Sequence, residues 1–335
     1  MPKEGCVRKL FLLLMAAAAG GSWFFFQKYR IDGIDRIALK PRGQGDSAAE
    51  IDPAADAPPL IQRQQPAIRI ASFDIQKFDN AKLVNPKVMK TVLELLRRFD
   101  VIAIQGISTP RDDLLSQVVE QLNFSGRHFD YAVGPRSVRD ATPEQFAFVF
   151  DAASVEIDRS TMYTVDDPGR LMRRDPLVAT FRVRGPDAKE AFTFTLVNVH
   201  VDPERAAGEL AALADVFRAV RTNGLGEDDI ILLGNLGADS RRLGLLGQLP
   251  NMTAALSLVP TTTQGTKMYD NILFNRDATT EFTGRAGVVD LLQEFGLTMQ
   301  QGLEVSDHLP IWAEFSIYEG GQPGHMAAPL STGAR

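Results

Sequence analysis

Residues 67–318 predict an α/β fold in which two β-sheets pack face to face and helices cover the outside. Three observations carry this. Apolar stretches of strand length recur along the whole segment; a few stretches with apolar residues at helical spacing interrupt them; and about 250 residues are enough for one large core.

The elements follow in order. Ala67–Phe73 (AIRIASF) is short, apolar and bounded by Pro66, which predicts a strand. From 85 to 99, Val88, Val92, Leu93, Leu95 and Leu96 recur at helical spacing, with Arg97 and Arg98 near the end, which predicts a helix. DVIAIQ at 100–105 reads as a second, buried strand, followed by a helix over about 111–122. Strands are then expected at 128–133, 146–150, 177–183 and 192–200, a helix at about 203–222, and a buried strand at 229–233 (DIILL). Segments 270–274 and 311–317 supply two more strands. Polar residues sit repeatedly at strand ends: Asp74, His200, Asn235, Asp270 and the Asp307–His308 pair before the last strand. Polar strand ends converging on one rim are how a sheet scaffold builds a site.

Composition sets the class. The chain is 44% hydrophobic and 23% charged, which excludes a disordered chain, a collagen-like fibre and a polytopic membrane protein. A net charge of −6 gives no overall basic field to attract nucleic acid, although local groups can still hold phosphates. The one cysteine, Cys6, excludes an intramolecular disulfide and cysteine-based zinc sites. Near the N-terminus the uncharged run 10–26 (LFLLLMAAAAGGSWFFF) follows Lys3, Arg8 and Lys9, the pattern of an export signal. Small residues at Ala16–Ala19 offer a cleavage site, yet Trp23–Phe26 prolong the apolar run toward the lower end of the ~17–25 residues that span a bilayer. A membrane anchor at 1–30 with the domain outside the cytoplasm is therefore expected, a secreted protein being the alternative. A flexible linker at 31–66, rich in Asp, Ala and Pro, and a frayed tail at 319–335 containing His325 complete the organisation.

Six segments, IRIASFDIQKF, VIAIQGI, TLVNVHVDP, ILLGNLGADS, MYDNILF and VSDHLPIW, resemble in order and spacing those of the endonuclease/exonuclease/phosphatase superfamily. The Tyr269–Asp270 segment resembles the deoxyribonuclease I branch most. This resemblance implies a four-layer α-β-β-α sandwich and divalent-metal-assisted cleavage of phosphodiester bonds, with DNA as substrate and Mg²⁺, Mn²⁺ or Ca²⁺ as cofactor. It implies two catalytic histidines, His200 and His308, oriented by Glu144 and Asp270. A carboxylate fixes an imidazole's tautomer and stabilises its cation, so each pair can exchange a proton with water or a leaving oxygen. His308 would activate water and His200 assist the leaving group, or the reverse. Arg174 matches a phosphate-facing basic residue, with Arg173 as the alternative alignment. Arg111 falls in a segment that faces DNA in the family, or is a solvated residue at a helix start.

The metal side departs from the family pattern. The principal carboxylate ligand after the second strand's Gln is Gly106 here; the family's Asp and Asn of the next metal segment are Asn235 and Gly237; and the first strand ends in Asp74 where the family has Asn. Hard cations need oxygen ligands, carboxylates above all. Asp74 and Asp307 are the remaining candidate ligands, with Asn235 supplying an amide oxygen or a phosphate contact, and water or another carboxylate filling the space at Gly106. Three readings follow: a DNA phosphodiesterase with weakened catalysis, an inactive relative that binds nucleic acid or protein, and a phosphodiesterase acting on lipid or inositol phosphates. The membrane is expected as a partner only through the N-terminal segment.

Overall fold

The computed structural model describes residues 66–137, 143–222 and 226–322, which lie in one compact unit. The expected anchor at 1–30, most of the linker and the tail beyond 322 fall outside the described residues, as do Cys6 and His325. Among the described residues no helix is long and apolar enough to cross a membrane.

The chain forms β1 (Ala67–Phe78), α1 (Asn80–Leu83), α2 (Pro86–Leu96), β2 (Val101–Ile107), α3 (Leu114–Asn123), β3 (Phe129–Val133), β4 (Gln145–Asp151), β5 (Val155–Thr164), β6 (Leu177–Val183) and β7 (Thr193–His200). It continues through α4 (Ala206–Arg221), β8 (Ile230–Asn235), α5 (Gly244–Gly247), β9 (Met252–Ala254), β10 (Asp270–Asn275), β11 (Phe282–Val288), α6 (Leu291–Glu294), α7 (Met299–Val305) and β12 (Ile311–Ser316). Two six-stranded mixed sheets result, ordered β11-β12-β1-β2-β4-β3 and β5-β6-β7-β8-β10-β9. Each has one parallel pair at its middle, β1–β2 and β7–β8, and antiparallel neighbours elsewhere. Parallel neighbours need a crossover, supplied by α1–α2 in the first sheet and α4 in the second.

Three apolar clusters fill the spaces between layers. Val88, Val92 and Leu95 of α2 and Val118 of α3 pack on Phe73 and Ile104 of the first sheet. Phe148, Phe181, Phe194, Phe274 and Phe315 lie between the sheets. Leu210, Leu213 and Phe217 of α4 cover Val197 and Leu232 of the second sheet. The expected four-layer sandwich is thus present. Helix α2 starts where Asn85 accepts hydrogen bonds from the Lys87 and Val88 N–H groups, with Pro86 in the first turn.

Strands β5, β9 and β11, the short helices α1, α5, α6 and α7, and the start of the tail differ from expectation. Strand β5 was not foreseen: Asp158, Arg159 and Ser160 are exposed and Glu156 is half-buried, so it lacks an apolar run. The tail begins later than 319, because Glu319–Gly321 form a short 3₁₀ turn in which the Glu319 N–H bonds the Glu190 carbonyl.

Candidate active site

Strand periodicity builds the site. Along β1, Ile68 and Ile70 face the space between the sheets, and two steps of the same parity later come Ser72 and Asp74. In β4 the series Phe150, Phe148, Phe146 leads back to Glu144; in β7, Phe194 and Leu196 lead to Asn198 and His200; in β8, Ile231 and Leu233 lead to Asn235; and in β10, Phe274 and Ile272 lead to Asp270. The side chains that fill the middle of the sandwich thus give way, at one end, to polar groups of the same facing. Register aligns them: His200 lies opposite Asn235, and Asn235 opposite Asp270. Gly234 makes this row feasible, since a Cβ there would fall 1.9 Å from the Val199 carbonyl oxygen. Beneath the row, the Gln105 amide donates to Asn198 Oδ1 (2.6 Å) and Ser72 Oγ (3.0 Å), joining the two sheets.

Both predicted histidine–carboxylate pairs are formed. His200 Nδ1 is 2.8 Å from Glu144 Oε1, and His308 Nδ1 is 2.8 Å from Asp270 Oδ2. Asp270 Oδ2 is held from its other side by the Thr261 hydroxyl at 2.7 Å. The free Nε2 atoms converge: that of His200 is 3.5 Å from Asp74 Oδ2 and that of His308 is 3.5 Å from Asn235 Nδ2, while Asn235 Nδ2 donates to Asp74 Oδ2 at 3.1 Å. Burial alone would drive the Asp74 carboxyl up, but His200, His308 and hydrogen bonds from Asn235 and Gln76 bring it down to about 2. Burial would likewise lower His308, yet Asp270, then Asp74 and Asp307, push it up to about 10. His200 is raised too, against burial, by Asp74 and Glu144. Two imidazolium N–H groups beside one buried carboxylate are suited to an anionic ligand that must exchange protons.

The metal position is rearranged rather than vacant. Strand β1 takes four residues from Asp74 to Phe78 where β2 takes two from Gln105 to Ile107, so β1 bulges there. Gln76 and Lys77 adopt positive φ (44° and 50°) in this bulge. Its backbone closes over Gly106: a Cβ there would lie 2.7 Å from Gln76 N and 2.9 Å from Asp74 Oδ1. The space expected to hold water or another carboxylate is therefore filled. Asp74 Oδ1 accepts from Gln76 N–H (3.0 Å), Asp307 Oδ2 from the Gln76 amide (2.8 Å), and Asn235 turns its oxygen to Gly237 N–H (3.0 Å), away from any ligand role. Lys82 adds a cation, its ammonium donating to the carbonyls of Ile75 (2.6 Å), Gln76 and Val305 (2.7 Å). Burial lowers Lys82 to about 8 even with Asp74 and Asp307 acting to raise it. Asp307 Oδ1 is buried without a hydrogen-bond partner. Two carboxylates beset by N–H donors and an ammonium do not fit the family's divalent-metal centre.

The remaining predicted residues divide. Arg174 is in the site, but it pairs with Glu144 and so braces the His200 carboxylate. Arg173 pairs instead with Asp202 (2.6 Å). Arg111 lies outside the constellation, on an exposed loop where Asp113, two residues on, takes its guanidinium. Gln76, Lys82, Ser306 and Thr261 were not foreseen as site residues. Ser306 Oγ donates to the Asp74 carbonyl (2.6 Å) and accepts from His308 N–H (3.0 Å), tying β1 to the loop that carries His308. Ser306→Ala is expected to cost about 1–3 kcal/mol, since the buried His308 N–H and Asp74 carbonyl lose their partner. Urea denaturation of the two proteins side by side measures it.

No family model matches the chain. It is 29% identical over 284 residues to "Deoxyribonuclease-1-like 1" of Bos taurus, covering 80% of this chain and 88% of that one. It is 27% identical over 267 residues to "Deoxyribonuclease-1-like 2" of Mus musculus, covering 75% and 93%. Among solved structures, a humanized D. rerio TDP2 superimposes with a TM-score of 0.52 at 14% identity, covering 75% of this chain and 99% of that one.

Proposed function

We propose, from its resemblance to the deoxyribonuclease I branch of the endonuclease/exonuclease/phosphatase superfamily, that this chain is a phosphodiesterase acting on DNA, with proton transfer carried by its two histidine–carboxylate pairs. The observation that carries this reading is the convergence of the His200 and His308 Nε2 atoms on the Asp74–Asn235 pair while each Nδ1 is held by its own carboxylate. A phosphate placed between them meets an N–H on either side. In hydrolysis, water attacks phosphorus, one imidazole takes the water's proton, and the other gives a proton to the departing oxygen. His308, held protonated to about 10, is the donor to the leaving oxygen, and His200 is the acceptor; this reverses the first of the two orders implied by resemblance. The rate is expected to climb with pH as His200 deprotonates and to fall again only as pH approaches about 10, which a pH–rate profile checks.

The family generally depends on a divalent metal, but the rearrangement around Gly106 leaves no fitting site at that position, and no step is assigned to one. This same observation favours a second reading, a protein that binds nucleic acid through the site without cutting it. Nicking of supercoiled plasmid in EDTA, Mg²⁺, Mn²⁺ or Ca²⁺, with His200→Ala and His308→Ala as controls, separates the two. Nicking lost in both variants supports hydrolysis; DNA binding with no nicking under any condition supports the second reading. The apolar run 10–26 behind basic residues supports tethering to a membrane or export, which cell fractionation tests.

A further inference from the structure

The end of the sandwich opposite the histidines carries a second concentration of charge. Asp229 stands immediately before β8, whose other end is Asn235, about 20 Å away along a six-residue strand. Glu281 stands immediately before β11, and Glu319 opens the 3₁₀ turn after β12. One carboxylate oxygen from each of these three lies within 4.8 Å of the other two. Asp229 and Glu281 are only 1% and 2% exposed.

The charged neighbours that act most strongly on these carboxylates are themselves acidic, among them Glu227 and Asp228. Glu281 Oε1 accepts from Gly320 N–H (2.6 Å) and Glu319 Oε2 from Thr193 N–H (3.2 Å). Asp229 Oδ1 and Glu281 Oε2 are buried and meet no hydrogen-bond donor from outside the cluster, and the Thr279 hydroxyl, 1% exposed, faces Asp229. Leaving buried carboxyl oxygens without a donor or cation is costly to a fold.

We propose that Asp229, Glu281 and Glu319 form a calcium site that fastens the starts of β8 and β11 to the turn after β12. The donors are all oxygen, which selects a hard cation, and Ca²⁺ binds oxygens at about 2.3–2.6 Å, so two ligands on opposite sides of the ion stand just under about 5 Å apart. One oxygen from each of the three carboxylates, all within 4.8 Å of one another, is close enough to share one such ion. The Thr279 hydroxyl and water complete the shell. Burial and mutual repulsion also raise all of these carboxyl groups, as expected where a cation's charge is missing.

Thermal unfolding of the full chain, stripped with EDTA and titrated with CaCl₂ or MgCl₂, tests this. A saturable rise in Tm of roughly 5–10 °C is expected at calcium a hundredfold above Kd, with a smaller response to magnesium. Asp229→Asn/Glu281→Gln removes the charge without changing shape and is expected to fold without calcium and to lose the rise. Glu319→Gln, at a less buried position, is expected to weaken calcium binding in equilibrium dialysis even if the double variant does not fold. Asp307→Asn, at the histidine end, should leave the rise intact. An unchanged Tm in calcium, meaning the carboxylates are held by shared protons instead, overturns the proposal, as does an equal rise in wild type and Glu319→Gln with unaltered dialysis.

Discussion

Gly106→Glu, the substitution that restores the family's carboxylate, is expected to destabilise the protein by about 2–6 kcal/mol and to restore no metal binding. Two costs combine. Residue 106 has φ +81°, a left-handed conformation worth about 1–3 kcal/mol of strain for a side-chain-bearing residue. The added Cβ would also collide with Gln76 N and Asp74 Oδ1, an overpacking cost of about 1–3 kcal/mol because a backbone atom rather than a flexible side-chain tip must move. A Tm lowered by roughly 5–20 °C is the corresponding shift. Isothermal titration with Mn²⁺ provides the second measurement: a variant that folds like wild type and acquires a tight manganese site would contradict the filled position described here. The missing ligand is thus part of a change that includes the β1 bulge and Lys82, and one reversion does not undo it.

Removing His308 is expected to have the largest effect on activity. If the chain hydrolyses DNA, His308→Ala should lower the rate by about 10²–10⁴-fold, as losing a positioned acid does. His308 also bears on stability, with a sign that can be worked out. Its folded pKa, about 10, exceeds its ordinary value of 6.5, so the folded state holds the proton more tightly than the unfolded. The stability it contributes is complete below about pH 6.5 and is lost as pH rises toward 10. The stability gap between wild type and His308→Ala should therefore be widest in mild acid and narrow through alkaline pH. A gap that widened with rising pH would show that His308 is buried neutral.

Much of this was written in local sequence. The alternation of Ile68, Ile70, Ser72 and Asp74 along β1, and of Phe194, Leu196, Asn198 and His200 along β7, reads directly as one face turning from apolar to polar. Since facing alternates strictly along a strand, both the strand and the orientation of its last residue are legible. Strand β11 (FTGRAGV) was not, because two glycines and an arginine interrupt its apolar pattern and its pairing with β12 is irregular. The rearranged metal position was also hidden. The expected strand stops at Phe73, and only the closure of the longer β1 against Gly106 shows Gln76 and Lys77 turning to positive φ. Lys82 would pass for a solvated helix residue; its three carbonyl partners come from β1 and from the end of α7, far apart in sequence.

The pairing of β1 with β12 bears on synthesis. The first strand of the sheet takes one of its two neighbours from the last, Ala67 lying opposite Ser316, and His308 arrives just ahead of that strand. A ribosome that has made nine-tenths of the domain has therefore made β1 with one edge open and Asp74 without His308. A growing chain cannot bring the two histidine–carboxylate pairs together until the segment carrying His308 emerges, so the cell in which it is translated meets the polypeptide, for most of its synthesis, as an incomplete sheet.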